Sequence, residues 1–144
     1  MGSKRSLGVL ASIVLAGCYS QPPMEVEGNL SVRGAELGEW QLDPGVCLTG
    51  EPVGFEGVDL SSHEGDRCVR FMDDPFQGPV VVAYIPNTTD GREFLPSECN
   101  EFHVRLERTK DQSGAIYNVG GTMTLDCENE AGSISGELVF DGCW

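Results

Sequence analysis

The sequence predicts one small all-β domain, an antiparallel sandwich or barrel of about seven or eight strands. Three observations point there. Short segments of alternating apolar and polar residues recur along the chain. Clusters of turn-forming residues separate them. Helical periodicity is scarce, in a sequence with 19 glycines among 144 residues.

Taken in order, the candidate strands are Asn29–Arg33, Glu39–Leu42, Val53–Leu60, Arg67–Met72, Val80–Ile85, Phe102–Thr109, Ile116–Asp126 and Ser133–Phe140. Between them stand Asp43-Pro44-Gly45, Ser61 to Asp66, Asp74-Pro75, Asn87 to Gly91, Asp111 to Gly114 and Glu128 to Gly132. These stretches supply the positive-φ residues, fixed prolines and short side-chain acceptors that reverse a chain. The last three strands carry the clearest pattern. Phe102, Val104 and Leu106 alternate with His103, Arg105 and Glu107; Tyr117, Val119, Met123 and Leu125 alternate with Asn118, Thr122, Thr124 and Asp126; Ile134, Leu138 and Phe140 alternate with Ser133, Ser135 and Glu137. One face of each belongs to the core and the other largely to water. Residues Val80 to Ile85 are apolar throughout, which predicts a central strand covered on both sides. Gly121 to Cys127 echoes Gly136 to Cys143, as two strands filling similar places in one sheet would.

Ahead of this domain the chain opens with Lys4-Arg5 and a short apolar run, Leu7 to Leu15. That is the layout of a secretory signal, and the run is too short for a membrane-spanning helix of roughly 20 residues. Leu15-Ala16-Gly17-Cys18 resembles the lipobox of bacterial lipoproteins at every position. The resemblance covers residues 1–18 alone. It implies a diacylglyceryl thioether on Cys18, cleavage after Gly17, and a membrane partner held through that lipid. Tyr19, where Asp would signal retention at the inner membrane, implies the outer membrane by the sorting habit of enteric bacteria. The expected organisation is a removed signal over 1–17, a lipidated N-terminus and tether over 18–27 with Pro22-Pro23 favouring an extended spacer, and an acidic β domain over 28–144.

Loss of the signal removes Lys4 and Arg5, leaving seven basic against 23 acidic side chains, a charge of −16 over 127 residues. Such a chain repels nucleic acid and anionic headgroups, which argues against nucleic acid as a partner. The acids are scattered, as on a solvated folded surface.

With Cys18 assigned to lipid, Cys47, Cys68, Cys99, Cys127 and Cys143 remain, and export permits disulfides. Pairing of the last two strands would place Cys127 and Cys143 roughly 30 Å apart, beyond the roughly 7 Å allowed between bridged Cα atoms. The preceding hairpin, turning near Gln112-Ser113, brings Cys99 beside Cys127. Their side chains have opposite parity, so a bulge or strand end must intervene. Cys143 then needs Cys47 or Cys68. Cys47, in a turn-rich approach, is preferred, and Cys68 is left unpaired within a strand. No Cys-x-x-Cys pair supports zinc, and no cofactor signature is present.

Chemistry is sparse. His63 lies in a turn beside Ser61 and Ser62, His103 points outward from a strand, and no nucleophile elbow, phosphate loop or zinc helix motif occurs. Asp126, Glu128 and Glu130 form a weak calcium candidate at a hairpin tip. Trp40 and Trp144 are candidate ligand platforms, with core or rim packing as the plainer role. The sequence thus reads as a lipid-anchored envelope lipoprotein whose domain is a non-catalytic binding or structural module, with an envelope protein or glycan as partner. The alternatives are a lipid-anchored periplasmic hydrolase and a calcium-dependent binding domain.

Overall fold

The computed structural model describes residues 24–144; the signal segment, Cys18 and the tether up to Pro23 lie outside the described residues. Ten strands follow in chain order: β1 Glu25–Gly34, β2 Gly38–Leu42, β3 Val46–Thr49, β4 Gly57–Ser61, β5 Cys68–Asp74, β6 Gly78–Tyr84, β7 Gly91–Phe94, β8 Cys99–Ser113, β9 Ile116–Asn129 and β10 Gly132–Cys143. Two antiparallel sheets of five strands result, ordered β2-β1-β10-β9-β8 and β3-β4-β5-β6-β7. The architecture is a sandwich; the sheets do not close into a barrel.

The alternation read from the sequence sets the register. Phe102 faces Leu125 and Val104 faces Met123 across β8 and β9, while Leu138 faces Met123 across β10 and β9. Ile134, Leu138 and Phe140 are buried against Leu30, Leu60 and Phe71 in one continuous core. Each such side chain contributes about 1.5–3 kcal/mol when fully removed from water. The two echoing segments are neighbours in one sheet, on β9 and β10.

Four readings need revision. Segments β3 and β7 are strands that the alternation did not mark: Val46 and Leu48 are apolar on the outer side as well, and β7 carries one apolar residue, Phe94. The segment read as Val53–Leu60 is a 3₁₀ turn at Glu51–Val53 followed by β4, because Pro52 and Gly54 bend the chain first. Strand β6 stands fourth of five and not in the middle, although Val80 to Ala83 are buried on both of its faces. Asn118, read as facing water, is buried; Thr109 donates its hydroxyl to the Asn118 side-chain oxygen at 3.2 Å, where the β8–β9 pairing slips between Arg108 and Gln112. In addition, β1 starts at Glu25, ahead of the domain boundary at residue 28, because Glu25 to Glu27 pair with Asp141 to Val139.

Two disulfides lock this arrangement. Cys99 bridges Cys127 across the start of β8, and the predicted irregularity is present as a register slip between Cys99 and Glu101. Cys47 bridges Cys143, with Cα atoms 4.6 Å apart, and joins the two sheets. The following residue crosses with it: Trp144 donates its N–H to the Cys47 carbonyl, and Thr49 donates to the Trp144 carbonyl at 2.9 Å. Cys68 is the free cysteine among the described residues.

The bridges close loops of 96 and 28 residues. Chain-entropy arithmetic assigns them about 4.7 and about 3.6 kcal/mol. Replacing Cys47 and Cys143 together with Ala should therefore lower the urea midpoint more than replacing Cys99 and Cys127 together. The reverse order would show that strain or residual unfolded structure, and not loop length, governs their effect.

Candidate functional site at the Gly50–Glu56 loop

The loop between β3 and β4 is built by its sequence. Pro52 and Glu51 open a 3₁₀ turn, and Gly54, at φ 88°, closes it in a conformation that L side chains resist. Phe55 then folds back: its N–H bonds the Gly50 carbonyl at 3.1 Å, and its ring covers Gly50 so closely that a Cβ there would strike it. The Gly50 N–H bonds the Gly57 carbonyl at 2.9 Å, and the Asp73 N–H bonds the Glu56 carbonyl at 2.8 Å. Phe55 is thereby fixed on the outer side of the second sheet.

Beneath Phe55 lies Arg70 of β5. Its guanidinium carbon sits 4.3 Å from the Phe55 ring centroid and 5.9 Å from that of Tyr84. Arg70 also makes a two-pronged pair with Asp59 on β4, Nε to Oδ1 at 2.7 Å and Nη2 to Oδ2 at 2.8 Å. Those hydrogen bonds raise the Arg70 pKa further, so its charge is permanent. The two side chains are 29 % and 21 % exposed, sheltered enough for the pair to matter and wet enough to limit its worth.

Phe55 walls three clefts, two of which also take in Thr49 of β3. One, about 390 Å³, opens between the sheets and is lined by Glu51, Phe55, Leu106, Arg108 and Val119, among others. Arg108 stands at its rim, 65 % exposed, 3.9 Å from Glu51 and stacked 5.1 Å over Tyr117. The other, about 440 Å³, lies across the loop between Leu48, Val53, Arg70 and Trp144. The Trp144 indole is half-buried there, and its Nε1 is buried without an acceptor. An apolar floor with a few charged groups at the rim suits non-covalent recognition.

Of the residues singled out from sequence, Trp144 lines the second cleft and the others fall elsewhere. His63 is exposed in the turn after β4, and His103 is exposed on β8 in the other sheet; neither lines these clefts. The buried polar side chains among the described residues are Thr49, Ser62 and Asn118, none of them a carboxylate. Asp126 and Glu128 lie two apart on β9, where strand geometry spaces them by about 7 Å, and Glu130 is in the turn beyond. Calcium needs its oxygens within about 2.6 Å of one point. Among the described residues no group of three or more His, Cys, Asp or Glu side chains is placed to hold a metal ion. Trp40 is core, its indole N–H bonded to the Leu37 carbonyl at 2.9 Å. Phe55, Arg70, Asp59 and Arg108 were not marked by sequence reasoning. The available signal was Asp59 and Arg70 at outward positions of adjacent strands. Comparison of the chain with protein-family models, curated proteins and solved structures returns no match.

Two outcomes follow for this surface. Arg70→Met should lower unfolding stability in urea by about 1–2 kcal/mol, the worth of a charged hydrogen-bonded pair at partial exposure. A loss below a few tenths would mean that Phe55 and Asp59 hold without it. Burial pushes the Cys68 thiol pKa up, so the neutral thiol persists into the range where an ordinary cysteine is already a thiolate. Iodoacetamide should accordingly modify folded protein slowly there and denatured protein fast; equal rates would place Cys68 in open solvent.

Proposed function

We propose that the chain is a bacterial envelope lipoprotein, held to the outer membrane by lipid on Cys18, whose sandwich is a non-catalytic binding module for an envelope protein or glycan. The lipobox-like Leu15 to Cys18 supports the anchor. Two disulfides suit an oxidising compartment outside the cytosol. The observation that carries the binding role is the cleft between the sheets, with Leu106 and Val119 as apolar floor and Arg108 and Glu51 at the rim. A ligand's apolar part fits the floor, and its polar groups meet a cation and an anion held on opposite lips. Nothing in that geometry asks the ligand to change covalently.

Cys18→Ser should move the protein from the membrane fraction to the soluble fraction of expressing cells; retention on membranes would defeat the anchor. For the cleft, mature protein should retain a partner from its own envelope extract that Arg108→Glu fails to retain. Because Arg108 is largely exposed, that variant should fold normally. Equal retention by both would remove the cleft as the binding site.

A further inference from the structure

The second cleft has a distinctive position relative to where the chain enters the domain. Strand β1 begins at Glu25, opposite Asp141, and two residues beyond Asp141 the chain reaches Cys143 and its bridge to β3. Trp144 then lies along β3, bonded to Cys47 and Thr49. The entry point of the N-terminal segment is therefore beside the edge of the second sheet that β3 forms.

That edge carries apolar surface on its outer side. Leu48 is 49 % exposed, Val53 on the adjoining turn is 74 % exposed, and Val46 is exposed as well. Leu48, Val53 and Trp144 rim the cleft across Phe55 from the one described for ligand binding, with the paired Asp59 and Arg70 also in its lining, and Val46 continues the apolar surface along β3. Aliphatic side chains ringed by a tryptophan match a membrane–water interface, where indole favours the headgroup level.

The length of chain ahead of β1 determines what can reach this patch. Six residues, 19–24, separate Cys18 from Glu25. Fully extended, they let Glu25 stand no more than about 24 Å from the lipidated residue. A domain of this size is roughly 35 Å across. The tether is thus shorter than the body it holds, and the surface around Glu25 stays beside the bilayer while the opposite turns are held off.

Resting on the lipid-anchor reading of Cys18, we propose that the β3 face formed by Val46, Leu48, Val53 and Trp144 lies on the lipid surface that carries the anchor. Three exposed aliphatic residues bind a bilayer weakly on their own. Tethering supplies the effective concentration that makes a weak contact count. The charge pattern sets the lipid preference. Glu25, Glu51 and Asp141 are near this face and the mature chain carries −16, so the contact favours zwitterionic over anionic headgroups.

Amide hydrogen exchange on the full lipidated chain in phosphatidylcholine vesicles tests this. Peptides spanning residues 46–54 should exchange several-fold more slowly than in lipidated chain held in detergent, with residues 85–90, on the far turn after β6, unchanged. Replacing a third of the lipid by phosphatidylglycerol should reduce that protection. Leu48→Asp combined with Val53→Asp, both at exposed positions, should abolish it while the circular dichroism spectrum is retained. Lipidated chain without slowing at 46–54, or with equal slowing at 85–90, overturns the membrane face and leaves the anchor standing. Protection of 46–54 by soluble cell-wall glycan, with none from vesicles, assigns the face to glycan and likewise overturns it. Membrane-fraction chain whose mass shows no lipid on Cys18 overturns the anchor, and the face with it.

Discussion

The tie between Cys47 and Cys143 is the constraint on which the rest of the structure depends. Two five-stranded sheets could slide or splay, since face-to-face contact between them is apolar and without direction. One covalent bond at the edge of β3 fixes where β10 ends relative to the second sheet. The backbone bonds of Trp144 to Cys47 and Thr49 carry that fixation into the loop that follows. Phe55 then has a defined floor, and both clefts have defined walls.

The Arg70–Asp59 pair completes this arrangement on the outer side of the second sheet. A bare guanidinium beneath an aromatic ring would be poorly solvated on one side and unpaired on the other. The carboxylate satisfies the fork while Phe55 and Tyr84 cover its face. The loop is therefore held by a charge pair and a ring stack where the glycines at 50 and 54 supply no side-chain packing. This explains how a short connection between two short strands can wall three clefts.

Much of the fold was legible because period-two alternation is unambiguous where one face is wet. Residues Phe102 to Leu106, Met123 to Leu125 and Ile134 to Phe140 fall in register as that alternation requires. The Cys99–Cys127 disulfide followed from the same hairpin geometry, while Cys47 was preferred over Cys68 for Cys143 only by its turn-rich approach, and the parity conflict at Cys99 correctly demanded a bulge. Strands β3 and β7 were not legible because their composition does not alternate: β3 is apolar on its outer side as well, and β7 has a single apolar residue. The site was less legible still. Asp59 and Arg70 are one charge of each sign among many, and only the pairing of β4 with β5 brings them opposite one another. The acids from Asp126 to Glu130 show the converse: closeness in sequence along a strand is separation in space.

The place of β10 has a consequence for how the molecule comes to be folded. It is the tenth strand in the sequence but the middle one of its sheet, between β1 and β9. Until it arrives, β1 has β2 as its only neighbour, and Leu30 and Val32 have no strand to complete the sheet that covers them. Pairing residue 25 with residue 141 also requires closing nearly the whole described chain into one loop, a slow step for a topology rich in distant contacts. The first strand made thus waits for the last, whereas the second sheet pairs only sequence neighbours.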